Sequence, residues 1–218
     1  MTDCTTTMWV GMGRVLGFSL LYLDEGLTVQ VEPSVRGAVG VKRETGGLAM
    51  EIDIESTWDG APAEDRVNLW LFWDADALVI EVTAPYHGDP RPPGDGGPTD
   101  GLWDYEVVEI FLVDDAGAKP VYTEVELSPH GHHLVLKLKG VRCPVSTRHE
   151  IEWSAVIDGD RWKGTAVVPM NLLPQEITHY NAYAIHGVGE QRRYLAAHPV
   201  PGDAPDFHRL EHFAEWPP

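Results

Sequence analysis

WDYEVVEIFLVDDAGAKPVYTEVELSPHGHHLVLKL, residues 103–138, contains three segments rich in β-branched and aromatic residues, separated by two turns. A Gly-containing loop follows Val113, and a Pro-His-Gly turn follows Ser128. Val, Ile, Phe, Tyr and Thr dominate the segments, and Pro and Gly stand only at their ends, which is typical of β-strands. We therefore predict three consecutive β-strands in this stretch.

The second and third of these strands alternate between two kinds of side chain, as a strand with period two requires. One face of the second strand is mainly apolar: Thr123, Val125 and Leu127. Its other face is mainly polar: Tyr122, Glu124, Glu126 and Ser128. In the third strand, leucines alternate with a mixed set of residues: Leu134, Leu136 and Leu138. This pattern predicts an antiparallel sheet with one dry face and one polar face open to water or ligand.

The stretch also resembles known proteins. VEIFL at 108–112, followed by YTEVELSP at 122–129, resembles the central hairpin of family 9 carbohydrate-binding modules. LWDYEVVE at 102–109 and PHGHHLVL at 129–136 resemble more closely an uncharacterised conserved family of short cytosolic proteins. The resemblance spans about Glu51 to Phe213. It implies an all-β fold, an antiparallel, jelly-roll-like β-sandwich of the family 9 type, and it implies sugar binding through the wider superfamily.

The chain divides at about residue 50. Residues 1–49 carry four basic and five acidic side chains, whereas all ten histidines and most of the negative charge follow Met50. We predict an N-terminal extension at 1–49, either disordered or forming an added hairpin, and a β-sandwich domain at 50–218. A domain of that length is sufficient for one substantial hydrophobic core.

Charge and composition exclude several classes of partner. The 218 residues include 16 Lys and Arg against 34 Asp and Glu, a formal net charge of −18. Because such an acidic chain repels phosphate backbones and anionic lipids, we expect no nucleic-acid and no membrane partner. Two cysteines, Cys4 and Cys143, fit a reducing compartment, and the N-terminal sequence lacks the pattern of a signal peptide. We expect a cytoplasmic protein.

The remaining chain contains further strand patterns and one long loop. Val67–Trp73 is apolar at places on both faces, which predicts a central strand. The Pro-, Gly- and Asp-rich segment 85–101 has no core-forming run, so we predict a long loop that either lies in solvent or folds over the site.

Candidate ligand-binding residues concentrate at one end of the predicted meander and on its polar face. Aromatic rings stack on the C–H face of a sugar, while carboxylate, imidazole and guanidinium groups bond its hydroxyls. Trp103 is the first aromatic candidate, and a second could come from Trp58, Trp70, Tyr86 or Tyr194. The predicted ligand-binding set is Trp103, Asp104, Glu109, Glu124, Glu126, His130, His186, Arg193 and His208.

Two alternatives to sugar binding stay open at this point. His130 and His132, with Glu126, could hold a divalent metal for a hydrolase or lyase, although their spacing matches no zinc signature. The sheet face could instead bind a protein segment. The sequence shows no nucleophile elbow, phosphate loop or dinucleotide fingerprint. We therefore predict that a small sugar or polyol binds without catalysis and without a cofactor, to a monomer or weak homodimer.

Overall fold

The structure, a computed structural model, describes residues 49–114 and 119–217. The predicted extension at 1–49 lies outside the described residues except for Ala49, where the first strand begins. The described residues form β-strands, turns and short 3-10 helices, and no α-helix occurs among them. None of those short helices has the length and apolar character needed to cross a membrane.

The described residues contain thirteen β-strands. In chain order they are β1 (Ala49–Thr57), β2 (Pro62–Asp74), β3 (Ala77–Pro85), β4 (Gly97–Pro98), β5 (Val107–Asp114), β6 (Val121–Leu127), β7 (His132–Lys139), β8 (Pro144–Ser146), β9 (Glu152–Asp158), β10 (Arg161–Pro169), β11 (His179–His186), β12 (Arg193–Ala196) and β13 (Ala214–Glu215). The 3-10 helices are Leu102–Asp104, Met170–Leu172, Gly189–Gln191 and Leu210–His212.

The strands pair along one path that folds into two layers. Its order is β4-β7-β6-β5-β11-β12-β1-β2-β3-β10-β9, with β13 on β11 and β8 on β7. All these pairs are antiparallel except β4 with β7. One buried core joins Ile54 and Leu69 of one layer to Ile110 and Val125 of the other. The predicted antiparallel β-sandwich is therefore confirmed.

The predicted centre of the fold differs from the structure in two respects. Trp103 does not begin a strand; it lies in a 3-10 turn after Gly101, whose φ of 72° is in the left-handed region, and the strand starts at Val107. The polar face of the meander is also partly covered, and it is not purely polar. Leu134 pairs with Glu126 and Leu136 with Glu124, so leucines and glutamates share one face.

The C-terminal segment covers that face. Phe207, Leu210 and Phe213 pack with Phe111 and Tyr183, which project from β5 and β11 away from the sandwich core. The sheet of β7, β6, β5 and β11 is thus buried on its inner side and partly covered on its outer side. Strand alternation predicts which residues share a face, but it does not predict which distant segment covers that face.

The long loop at 85–101 lies along the edge of the sheet. Its strand β4 pairs in parallel with the start of β7, and Thr99 donates its backbone N–H to the carbonyl oxygen of His133, at 2.9 Å. The Thr99 hydroxyl contacts Nδ1 of His132 at 2.9 Å. The loop therefore extends the sheet beside β7.

Candidate functional site

A cleft of about 430 Å³ opens on the outer face of the sheet formed by β7, β6, β5, β11 and β12. This volume is typical of sites that bind small molecules. Polar groups line part of it: Asp104, Glu109, Glu124, Arg142, Arg192, Asp206 and His208. Aromatic and apolar side chains line the rest: Trp103, Phe111, Leu136, Leu138, Pro144, Ile185, Tyr194, Pro205 and Phe207. Among these described lining residues, none comes from the loop at 85–101.

Three glutamates form a buried carboxyl cluster, and two of them, Glu109 and Glu124, line the floor of the cleft. Glu109 of β5 and Glu126 of β6 are direct partners in the strand register, and Glu124 follows on the same face two residues away. Their exposed fractions are 2%, 0% and 6%, respectively. One oxygen of Glu109 and both oxygens of Glu126 make no hydrogen bond within the described chain. At Glu109, the floor therefore presents a carboxyl oxygen without a hydrogen-bond partner.

Burial and mutual repulsion keep protons on this cluster. Burial, followed by the charge of Glu124, raises the pKa of Glu109 well above its usual range, and Arg192 opposes that rise. Burial raises the pKa of Glu124 to about 8, against the effect of Arg142. The pKa of Glu126 is also raised, first by burial and then by the charges of Glu109 and Glu124. Three carboxylates so close cannot all be ionised at neutral pH.

His208 stands above Glu124 in a fixed orientation. The hydroxyl of Tyr122 accepts the backbone N–H of Arg142 at 2.9 Å and contacts Nδ1 of His208 at 2.9 Å. When the phenol donates its proton to Nδ1, the imidazole proton lies on Nε2, 3.9 Å from a carboxylate oxygen of Glu124. Burial lowers the pKa of His208 to about 4, so its ring is neutral at pH 7.

An ion pair closes one side of the cleft. Arg142 donates to the carboxylate of Asp206 at 2.6 Å, and the same oxygen accepts the backbone N–H of His208 at 3.0 Å. Arg142 belongs to the turn after β7, where its φ is 57°, and Asp206 belongs to the C-terminal segment. The pair therefore joins two distant parts of the chain at the rim.

Aromatic side chains form another side of the cleft. The Trp103 side chain is 46% exposed, a high value for an indole. Phe207 stacks on the ring of Tyr183 with a centroid separation of 3.8 Å and an interplanar angle of 5°. Tyr194 meets Phe207 edge to face at 6.1 Å. The cleft thus combines apolar ring surfaces with buried carboxyl groups.

Arg192 holds the Trp103 turn in place. Its guanidinium donates to the backbone carbonyl oxygens of Trp103, Asp104 (2.8 Å) and Gly187 (3.2 Å). It also lies 5.7 Å from the ring centroid of Tyr194. Arg192 is therefore a positioning residue that connects the turn before β5 to the turn after β11.

The structure brings five of the nine predicted ligand-binding residues into the cleft: Trp103, Asp104, Glu109, Glu124 and His208. Glu126 belongs to the carboxyl cluster beside them. Of the four candidates for a second aromatic, Tyr194 lines the cleft. Arg142 was not predicted, because a surface arginine in a turn carries no signal of its own.

The other three predicted residues lie outside the cleft. His130 meets the edge of the Tyr86 ring at 5.9 Å. His186 stacks on His87 at 3.6 Å and faces Asp65. The guanidinium of Arg193 bonds the local carbonyl oxygens of Glu190 and Arg192. We predicted that these side chains lie at one rim because each stands near the end of a strand. In the structure, the turns beside those strands direct them to other parts of the surface.

The histidines of the turn before β7 do not form a metal site with Glu126. In the described part of the chain, the group of three ligands with converging atoms is Asp65, His87 and His186. His132 instead contacts Thr99, and burial lowers its pKa. The histidine run 130–133 is thus part of the contact between β7 and the long loop.

Comparison with known proteins gives relatives in sequence and in structure. No protein-family model matches the chain. The mouse UPF0462 protein C4orf33 homolog is 42% identical over 173 residues, which cover 75% of this chain and 89% of that protein.

Two solved structures also match. A candidate carbohydrate-binding protein from Bacteroides uniformis matches 78% of this chain and 85% of its own, at 16% identity and a TM-score of 0.58. It shares the fold. A family 9 carbohydrate-binding module from Caldicellulosiruptor kristjanssonii, in complex with glucose, matches 75% of this chain and 81% of its own, at 14% identity and a TM-score of 0.47.

Proposed function

The chain belongs to the UPF0462 family, and we propose that its cleft binds a small saccharide or polyol without catalysing a reaction. The observation that carries this proposal is the pairing of a buried carboxyl cluster at the floor with a half-exposed indole at the side. The Bacteroides protein that shares the fold, described as a candidate carbohydrate-binding protein, supports the same ligand class.

The floor selects a ligand that donates hydrogen bonds. Glu109 lines the cleft, and one of its buried carboxyl oxygens has no donor within the described residues. A buried acceptor without a donor costs roughly 1–3 kcal/mol, which a ligand hydroxyl can recover. Because a protonated carboxyl group both donates and accepts a hydrogen bond, a ligand that does both fits best. Hydroxyl groups do both.

The aromatic side selects a ligand with an apolar face. A pyranose or polyol carries C–H groups that can lie against the indole of Trp103, which is free to contact a ligand on its exposed side. Arg142 and Asp206 at the rim supply a donor and an acceptor for outer hydroxyls. A concave cleft of this size favours a small molecule over a protein segment, which would need a larger surface.

Calorimetric titration and tryptophan fluorescence with a panel of monosaccharides, disaccharides and polyols test the proposal. We expect at least one member of the panel to bind and to change Trp103 fluorescence. Trp103→Ala should weaken that binding by about tenfold or more, which is about 1.4 kcal/mol. Glu124→Gln should weaken it as well, because it replaces an acceptor on the floor.

Matched variants separate binding from folding. Trp70→Ala removes an indole that is 39% exposed on β2, outside the cleft-lining set, and should leave binding unchanged. Glu81→Gln changes an exposed carboxylate on β3, also outside the cleft-lining set, and should likewise leave binding unchanged. Absence of binding across the whole panel would contradict the proposal, and so would a ligand that binds the wild type and Trp103→Ala equally well.

A further inference from the structure

A second group of side chains, away from the cleft, has the composition and geometry of a metal site. Asp65 comes from β2, His87 from the loop after β3, and His186 from the end of β11. A ring nitrogen of each histidine and a carboxylate oxygen of Asp65 all lie within 4.8 Å of one another. None of the three is among the described residues that line the cleft.

We propose that Asp65, His87 and His186 bind a divalent transition-metal ion such as zinc. Two imidazole nitrogens with one carboxylate oxygen suit zinc, iron(II) and related ions. Calcium and magnesium prefer sites made of oxygen alone. Three protein ligands leave a fourth coordination position for water.

The separation between His186 and Asp65 fits two ligands on one ion better than it fits a direct bond. Nε2 of His186 lies 3.4 Å from a carboxylate oxygen of Asp65. A charge-assisted hydrogen bond between such groups spans about 2.7–2.9 Å. Two ligand atoms that each lie about 2.1 Å from a tetrahedral ion are roughly 3.4 Å apart. Nε2 of His186 is buried and makes no hydrogen bond within the described chain.

The two imidazole rings are stacked face to face, and the exposed ring of His87 must turn for the lone pairs of both rings to meet at one ion. His87 and His186 stack with a centroid separation of 3.6 Å and an interplanar angle of 5°. Two cationic rings would repel each other at this distance, so at least one ring is neutral, the form that binds metals. His186 is 9% exposed, whereas His87 is exposed, which gives an ion a route from solvent.

Two further carboxylates, those of Glu106 and Asp89, hold the backbone beside the proposed ligands. Glu106 accepts the backbone N–H of His87 at 3.1 Å and that of Asp89 at 3.5 Å. Asp89 in turn accepts the backbone N–H of Gly187, the residue after His186, at 2.5 Å. The loop that carries His87 is thereby tied to the strand that carries His186. Supports of this kind orient ligands in metal sites.

Equilibrium dialysis against buffered zinc tests the site. The full chain is produced without a polyhistidine tag, stripped with a chelator, and assayed for zinc by mass spectrometry. We expect one zinc ion per chain. His87→Ala and His186→Ala should each weaken binding by more than the roughly 10–100-fold that follows the loss of a supporting residue. His87→Ala removes an exposed side chain, so its effect does not depend on refolding of the core.

Two control variants make the result specific. His198→Ala removes another histidine whose Nε2 is buried without a partner among the described groups, and it should keep zinc. Cys143→Ser removes an exposed thiol, a type of side chain that commonly binds zinc, and should keep the ion as well. The proposal would be overturned if His87→Ala kept its zinc, or if His198→Ala or Cys143→Ser lost it. A wild-type chain that binds less than one zinc ion would also overturn it.

Discussion

Glu109 and Glu126 are direct cross-strand partners on the outer face of the sheet, and each is almost completely buried. Like charges in this position repel, and burial penalises each charged form. The pair therefore holds protons at neutral pH, together with Glu124. An arrangement that costs stability in the free protein favours a binding role for this face.

The first prediction concerns pH. The folded pKa of Glu124 is about 8, above the ordinary value of 4.5, so between these values the native chain holds a proton that the unfolded chain has lost. Stability should therefore fall as the pH rises from about 7 to 8, above the range in which buried histidines with lowered pKa values, such as His186 and His208, affect stability, by up to about 1.4 kcal/mol per pH unit for each such proton. Glu109 and Glu126 contribute in the same direction.

Chemical denaturation at several pH values measures this effect. Glu124→Gln should flatten the fall, because the amide does not titrate, whereas Glu81→Gln on the exposed face of β3 should leave it unchanged. Stability that rises between pH 7 and 8 would show that the cluster is ionised in the folded protein.

The second prediction concerns Arg192. Arg192→Ala removes donors to the carbonyl oxygens of Trp103, Asp104 and Gly187, and should lower the free energy of unfolding by about 1.5–3 kcal/mol. Arg192→Lys should restore only part of this loss, because lysine lacks the planar fork. Thermal and urea unfolding measure both variants.

Arg193→Ala is the matched control for that prediction. Arg193 is exposed, and its guanidinium bonds only nearby carbonyl oxygens among the described residues, so its loss should change stability by less than about 0.5 kcal/mol. Equal effects at 192 and 193 would mean that the Trp103 turn does not depend on the Arg192 contacts.

The third prediction compares two glycines with positive φ. Gly187 has a φ of 79°, and a Cβ there would overlap the backbone carbonyl of Gln191. Gly131 has a φ of 82°, but a Cβ there meets nothing within 4 Å. Gly131→Ala should cost about 1 kcal/mol of backbone strain, and Gly187→Ala should cost clearly more, because the backbone must also move. The difference between the melting temperatures of the two variants measures the steric contribution to the destabilisation at Gly187.

The fourth prediction concerns the hydroxyl of Tyr122. Tyr122→Phe leaves the backbone N–H of Arg142 and Nδ1 of His208 without their common partner. We expect a loss of about 1–3 kcal/mol in unfolding free energy and a release of the His208 ring, detectable by NMR of its imidazole protons. Tyr86→Phe is the control, and an unchanged His208 signal in Tyr122→Phe would contradict the assignment.

Much of the fold follows from the sequence. The alternation in β6 and β7, and the turn residues between them, were sufficient to predict the meander. Val67–Trp73 was predicted as central, and β2 indeed pairs with both β1 and β3. The predicted start of the first meander strand, at Trp103, was wrong, because Gly101 permits a left-handed turn that the apolar pattern does not reveal.

The sequence by itself determined the strands of the central meander, which residues share a face, and the family, because side-chain period and turn chemistry are local properties. It also placed Glu109, Glu124 and Glu126 on one face. Only the tertiary structure decided that this face is partly covered, since its cover comes from Phe207 and Leu210, far along the chain. The same holds for Asp65, His87 and His186, which stand on three separate segments and meet only after the sandwich closes. Contacts between distant segments carry no local signal, so folding alone brings such groups together.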